Sequence, residues 1–376
     1  MTFTDIPTRF YELTGHHPAG VWAAPGRINL IGEHTDYNGG YVLPFAIEQS
    51  ALLAARPRSD GRWRFSSLDL DSTVESGDLA PGETGWQAYL AGVVWALREA
   101  GHDVGGADFV LSSNVPIGAG LSSSAAIECA TLTALCDLHD LDIDPMSRAR
   151  LAQRAENAYV GAPTGLMDQA ASTLCTADHA LFLDCHTLAV QQVPLRIADA
   201  GLTILVIDTR TPHSHVDGEY AARRASCEQA CRILGIDLLR QVTDLDAALT
   251  QLPPLEARRV RHVVTENQRV LDTVEALTSS DFATVGALMT ASHASMRDDY
   301  EITVPTVDLA FETLLAAGAL GARMTGGGFG GCVLGLIAAD RADAAAAAVA
   351  EAFAAAGYGT PVSFTSHPAA GAHRIA

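Results

Sequence analysis

The sequence predicts a mixed α+β protein in two domains, on three observations. Short β-like runs open the chain, amphipathic helical segments follow them, and near residue 195 the strand-then-helix pattern starts again. The length of 376 residues, with 48% apolar and 18% charged, is enough for two ordinary domains, each with its own core. The expected division is therefore 1–195 and 196–376.

Each element rests on local pattern. Between residues 20 and 75, "YVLPFAI", "SALLAARP" and "RWRFSS" alternate with turn residues and predict strands. "WQAYLAGVVWALREAG" predicts a helix ended by Gly101, and "ADFVLSSNVP" a strand. Two helices come next, "SSSAAIECATLTALCDLHD" and "PMSRARLAQRAENAYVG", the second closed by Gly161. The second half opens with the strand "LTILVIDTR" and continues through the helices "EYAARRASCEQACRILG", "PPLEARRVRHVVTENQRVLDTVEAL" and "VDLAFETLLAAGALG". The strand "GCVLGLIAA" and the helix "DRADAAAAAVAEAFAAAG" complete it. Alanine is the best helix former, so that last segment needs no functional explanation.

Composition excludes several classes of function. No apolar stretch reaches the length of a membrane span and "MTFTDIPTRF" lacks a signal-peptide pattern, so a cytoplasmic address is expected. The seven cysteines are scattered, odd in number and set among apolar residues, which predicts reduced core thiols; the isolated Cys227/Cys231 pair is too little for zinc. A net charge of −20 with no basic run argues against nucleic acid or an anionic membrane as partner. An anionic ligand would have to be held by local amides and arginines. The chain contains no lysine, all 24 basic residues being arginine, which excludes a P-loop lysine, a protein-kinase strand lysine and a lysine Schiff base.

Three constellations carry chemistry. The stretch "APGRINLIGEHTDYNGGYVLPFA", residues 24–46, places Arg27, Glu33, His34 and Asp36 within ten positions. A solvated turn around Asn38-Gly39-Gly40 is one reading. A metal site is another, but Glu33 and His34 are adjacent and lack the spacing of a helical metal motif. A polar pocket that hydrogen-bonds sugar hydroxyls is the third. In "NVPIGAGLSSSAAIECA", residues 114–130, Gly118 and Gly120 allow tight turns and Ser122, Ser123 and Ser124 begin a helix. Its free first-turn amides suit a phosphate, and a serine hydroxyl can ligate Mg²⁺; the alternative is an ordinary serine-capped helix. "RMTGGGFGGCVLGL", residues 323–336, has five glycines at 326–331, a second loop able to approach a phosphate closely. Because "GGGFGG" precedes a strand rather than opening a helix, a dinucleotide-binding fingerprint is set aside. Between these loops, "RAENAYVGAPTGLMDQAAS" carries Glu156 and Asp168, the latter either a helix cap or a catalytic group.

Taken together, "GRINLIGEHTDYNGGYVLP", "PIGAGLSSSA", "GLMDQ" and "MTGGGFGGC" resemble, in order and spacing, the galactokinases of the GHMP small-molecule kinase superfamily, over about residues 20–335. The first motif is specific to galactokinases and near sugar-kinase relatives; the others are shared across the superfamily. The resemblance implies an N-terminal ribosomal-protein-like domain, a C-terminal ferredoxin-like domain and an active site between them. It implies transfer of the ATP γ-phosphoryl group to the C1 hydroxyl of α-D-galactose, with Asp168 as general base and Arg27 holding the aspartate and stabilising developing charge. Glu33, His34, Asp36, Gly165 and Tyr220 are the implied sugar contacts. Gly118, Gly120, Leu121, Ser122, Ser123, Ser124, Gly327 and Gly328 are implied at the nucleotide, with Trp86 where the family stacks an aromatic on adenine, core packing being the alternative there. Mg²⁺ is implied at a serine hydroxyl, Ser123 or its neighbour Ser124, with Glu156. A monomer is implied, with a dimer as the alternative.

Two departures bear on the sugar: Thr164 stands where many relatives have cysteine, and "HSHVDGEY" differs from the commoner form around the tyrosine. They leave room for a 1-kinase acting on N-acetylgalactosamine, arabinose or another sugar. A non-catalytic galactose sensor would be expected to lose a catalytic residue or damage the serine loop, whereas Arg27, Asp168 and "GLSSSA" are intact.

Overall fold

The computed structural model describes residues 5–77, 79–162, 164–211 and 216–376. A six-stranded sheet runs in the order His373–Arg374, Gly20–Asn29, Pro44–Pro57, Ala107–Ser113, Trp63–Ser67, Ser72–Ser76. Neighbours are antiparallel except Trp63–Ser67 with Ala107–Ser113, which run parallel. The helix Ser123–Leu138 packs across Gly20–Asn29 and Pro44–Pro57 on one face, and Gln87–Glu99 packs on that helix. Ile6 and Phe10 of the helix Ile6–Thr14 cover Val21, Ala54 and Val110 on the other face. Covered on both sides, Gly20–Asn29 is buried at every position and shows no polar alternation.

A four-stranded sheet, Gly321–Thr325, Cys332–Ala338, Leu202–Asp208, Val362–Ser366, forms the second body, backed by the helices Phe282–Ser295, Pro305–Ala316 and Ala342–Ala356. A three-stranded sheet, Tyr41–Val42, His179–Asp184, Val190–Pro194, lies beside the first. The chain ends by returning to the first sheet, where His373 and Arg374 pair with Ala23 and Trp22.

Several elements differ from the pattern-based expectation. "YVLPFAI" is divided between two sheets: Tyr41–Val42 pairs with His179–Asp184, while Pro44 starts a 14-residue strand that also absorbs "SALLAARP". Proline is tolerated there because a strand's first residue owes no ladder N–H. The helix expected over "VDLAFETLLAAGALG" ends at Ala316, and its last residues turn into the strand Gly321–Thr325. The helix Phe282–Ser295 carries no readable apolar stripe, because its buried positions include Gly286, Ser292, His293 and Ser295 beside Val285 and Met289. Two helices continue as π-helical turns, Ala155–Val160 and Met296–Tyr300, a local widening that side-chain periodicity does not encode.

One irregularity places the functional region. The strand Gly20–Asn29 bulges between Pro25 and Arg27, re-aiming the arginine, and Arg27 N–H donates to Leu121 O at 3.1 Å. A Cβ on Gly26 would stand 2.7 Å from Leu121 O and 2.9 Å from Val115 Cγ1, so the loop before Ser123 can seat only against glycine. Gly26→Ala is expected to cost roughly 1–3 kcal/mol through overpacking, while Gly359→Ala, where a Cβ meets nothing within 4 Å, serves as the neutral control in thermal melts. Equal melting temperatures for the two variants would contradict this packing.

Candidate active site

A cavity of about 300 Å³ lies where the bulged strand, the serine loop, the start of the helix Met167–Leu174 and the glycine loop converge. It is lined by Arg27, Glu33, His34, Asp36, Gly118, Gly120, Leu121, Ser122, Ser123, Ser124, Gly165, Asp168, Tyr220 and Gly327 among the residues expected from sequence. Pro116, Thr164, Met167 and Gly326 complete the wall. Three expected residues lie off it. Glu156 is buried beneath, Gly328 packs on Ile302, and Trp86 starts the helix Gln87–Glu99 half-buried against the core.

Asp168 is not a cap: Leu166 holds the N-cap position and Asp168 is the second residue of its helix. Its Oδ1 accepts from Arg27 Nε at 2.9 Å and Nη2 at 2.7 Å. Arg27 Nη1 donates to Gly120 O at 2.6 Å, so one guanidinium fixes both the aspartate and the serine loop. Burial works against the Arg27 charge, but Asp168, Glu33 and Asp36 outweigh it and hold the guanidinium above its ordinary value. The other carboxylate oxygen of Asp168, Oδ2, accepts from Ser122 Oγ at 2.5 Å. Ser122 is therefore not the helix cap that serine at this position would ordinarily be. Its backbone is left-handed (φ 59°) and its side chain makes no cap bond, so the first-turn amides of Ser123–Leu138 are not capped by it.

The two halves of the chain meet through consecutive residues. Glu33 Oε1 accepts from Gly326 N–H at 2.9 Å and Thr325 Oγ1 at 3.0 Å, and His34 Nε2 pairs with Gly327 O at 3.1 Å. Burial pushes the His34 imidazole down to about 3, so the ring is neutral at physiological pH. With Nε2–H donating to the Gly327 carbonyl, Nδ1 accepts from Tyr37 at 2.7 Å, and the chain continues through Tyr300 (2.8 Å) to the Cys227 thiol (3.1 Å). Tyr37, Tyr300 and Cys227 were not expected from sequence, since nothing in their spacing shows that residues so far apart share a hydrogen-bond chain.

Asp36 opens a short 3₁₀ turn at Asp36–Asn38 and faces Gly165. A Cβ on Gly165 would fall 1.7 Å from Asp36 Oδ2, so glycine is required there for Asp36 to keep its place. Burial, with the charges of Asp168 and Glu33, pushes the Asp36 carboxyl up to about 6.

Beneath the serine loop, the Glu156 carboxylate accepts from Thr164 (3.1 Å) and Gln169 (2.6 Å), with the Ser124 hydroxyl beside it. Burial pushes it up, and these partners are all neutral. Among the described residues no group of three or more His, Cys, Asp or Glu is placed to hold a metal. A buried carboxylate without a counter-charge beside a serine hydroxyl nevertheless fits a hard divalent cation that keeps part of its water shell. The departure at "HSHVDGEY" falls partly outside the described residues, as does Pro163 of "APTGLMDQ".

Comparison with known proteins agrees with this geometry. Family models for the GHMP kinase N-terminal domain match residues 88–176 and for the GHMP kinase C-terminal region residues 273–355, and the galactokinase galactose-binding signature matches residues 8–57. The crystal structure of mevalonate kinase superposes with a TM-score of 0.65 at 16% identity over 92% of this chain and 98% of that one, a likeness of fold. The fold and the site thus define a GHMP small-molecule kinase. The galactokinase of Streptomyces coelicolor is 54% identical over 98% of both chains, and that of Mycobacterium tuberculosis 49% identical over 93% of this chain and 98% of its own. The crystal structure of Lactococcus lactis galactokinase complexed with galactose superposes with a TM-score of 0.94 at 32% identity, covering all of both chains. The chain belongs to the galactokinase family. No helix among the described residues is long and apolar enough to cross a membrane.

The Asp36 value gives a pH test. Its unfolded carboxyl titrates near 3.8 and its folded one near 6, so the group favours the fold below about 4 and that contribution is lost as pH rises through 6. Asp36→Asn, which cannot ionise, is expected to melt higher than the unsubstituted protein at pH 7.5, with the gap closing by pH 4. A gap that does not change with pH would contradict the burial of this charge.

Proposed function

We propose that the protein transfers the γ-phosphoryl group of ATP to the C1 hydroxyl of α-D-galactose, giving galactose 1-phosphate and ADP. The observation that carries this reading is the Asp168 carboxylate, facing the cavity between a sugar-type polar wall and two phosphate-type loops, with Arg27 fixed on its other oxygen. Asp168 Oδ2 takes the proton of the C1 hydroxyl, displacing Ser122, as the C1 oxygen bonds to the γ-phosphorus and the bond to the β-γ bridging oxygen breaks. Arg27 holds the Asp168 carboxylate in place before the transfer and offsets the negative charge that spreads over the phosphoryl oxygens.

Glu33, His34, Asp36, Gly165 and Tyr220 form the sugar wall, Glu33 and Asp36 accepting from sugar hydroxyls. Gly118, Gly120, Leu121, Ser122, Ser123, Ser124 and Gly327 offer backbone amides, hydroxyls and close approach to the phosphates, which a chain without lysine requires, while Gly328 seats the glycine loop against Ile302. Trp86, which lies off the cavity wall, is assigned to the adenine as the resemblance implies, with core packing the alternative. Ser123 or its neighbour Ser124, with Glu156, would hold Mg²⁺, which when bound neutralises phosphate charge. The working division is 1–195 for the sugar wall, serine loop and Asp168, and 196–376 for Tyr220 and the glycine loop, acting as a cytoplasmic monomer.

A coupled ADP-release assay with Mg·ATP against galactose, N-acetylgalactosamine, arabinose and glucose tests the reading. Galactose is expected to be the preferred substrate, and Asp168→Asn to lose at least about 10²-fold in kcat, the low end for a positioned general base, while still binding ATP. A loss below tenfold would overturn the base assignment. Binding of galactose without turnover would overturn the kinase reading, and turnover confined to another sugar would replace the substrate.

A further inference from the structure

The backbone of residues 29–33, from which Glu33 projects, is held by two side chains from the other half of the chain. Arg323, in the strand Gly321–Thr325, is fully buried. Its Nη1 donates to Asn29 O at 2.9 Å and Leu30 O at 3.1 Å, and its Nε to Ser292 Oγ at 3.2 Å. Glu266, equally buried in the helix Pro254–Thr278, accepts from Gly32 N–H at 2.9 Å and from Ser292 Oγ at 2.7 Å, both on Oε1, and from Arg269 Nε on Oε2 at 2.7 Å. Arg323 also lies 3.5 Å from Glu33 Oε1 and 3.8 Å from Glu266 Oε1. With Arg269 the cluster holds two positive and two negative charges, so it is electrically balanced without water. Burial disfavours the Glu266 charge, yet Arg269, with His262 and Arg323, outweighs it and holds the carboxyl down to about 2.

Hydrophobic packing would have filled this space at less desolvation cost, and a buried ionic cluster adds little to stability by itself. What it does supply is direction. Three acceptors on two segments distant in sequence, the carbonyls of Asn29 and Leu30 and the Ser292 hydroxyl, are met at once by one planar fork, a task for which lysine, a point charge, is unsuited. The backbone so fixed leads into Glu33, whose Oε1 is in turn bonded to Gly326 and Thr325.

We propose that Arg323 and Glu266 are positioning residues for the phosphoryl transfer: together they set the height of the sugar wall against the glycine loop without touching either substrate. This rests on the function proposed above. A positional error at Glu33 should weaken sugar binding and misplace the acceptor hydroxyl, whereas simple destabilisation should reduce only the amount of folded protein.

The test compares Glu266→Gln, Arg323→Lys and Val349→Ala, the last a buried cavity variant in the C-terminal core, under conditions where circular dichroism shows each to be folded. Glu266→Gln and Arg323→Lys are expected to raise the galactose KM at least about fivefold and to lower kcat per folded molecule, while Val349→Ala lowers Tm with both constants unchanged. Galactose KM and kcat equal to the unsubstituted protein in the two cluster variants, with only Tm reduced, would overturn the proposal. Should Arg323→Lys fail to fold, Ser292→Ala, which removes the hydroxyl shared by Arg323 and Glu266, is expected to show the same KM rise at smaller amplitude; an unchanged KM there overturns it equally. If the unsubstituted protein turns over no sugar, the function is wrong, and calorimetric galactose binding to Glu266→Gln then decides positioning alone, an unchanged Kd counting against it.

Discussion

The site depends first on the pair between Arg27 and Asp168. Arg27 is 5% exposed, its guanidinium spans the aspartate and the Gly120 carbonyl, and its own backbone N–H reaches Leu121. A bulged strand, a glycine-containing loop and a helix start are thereby fixed to a single planar group. Removing the Asp168 charge would leave Arg27 buried without its partner, a much larger penalty than the net worth of the pair. The arrangement is consequently better understood as holding a reactive carboxylate in place than as a contribution to stability. Ser122 fits the same view, since a non-glycine residue held at φ 59° stores strain that its bond to Asp168 offsets.

The second constraint joins the halves. Glu33 and His34 meet Gly326 and Gly327 one to one, so the sugar wall and the glycine loop move as a unit. The imidazole can serve only while neutral and carrying its proton on Nε2, and burial together with the Tyr37 hydroxyl maintains that state. Behind this seam the Arg323–Glu266 cluster fixes the backbone from the opposite side. The cavity is built from three layers of contacts, each of which crosses between distant parts of the sequence.

Much of this was legible in the chain itself. Three serines after two glycines, and four titratable groups in ten positions, fall on the wall of one cavity, and strong periodicity located helices such as Pro254–Thr278. What the sequence did not reveal follows from physics that is non-local. Arg323 precedes the glycine run and looks like an ordinary strand residue; only the fold shows it to be wholly buried against Asn29 and Leu30. Tyr300 ends a π-helical turn, a widening of the helix that leaves no mark in composition. Ser122 was read among the phosphate-loop serines, and its bond to Asp168 depends on a left-handed backbone that residue type does not foretell. The strand Gly20–Asn29, buried on both faces, has no alternation to read.

The most direct test of the account is a crystal structure of the protein with galactose and a non-hydrolysable ATP analogue. The account predicts the C1 oxygen within about 3 Å of Asp168 Oδ2, in the place Ser122 Oγ takes here, with the γ-phosphate analogue between the serine and glycine loops and the bond from Gly326 N–H to Glu33 retained. A sugar that turned another hydroxyl toward Asp168, or lay outside the wall formed by Glu33 and Asp36, would contradict it.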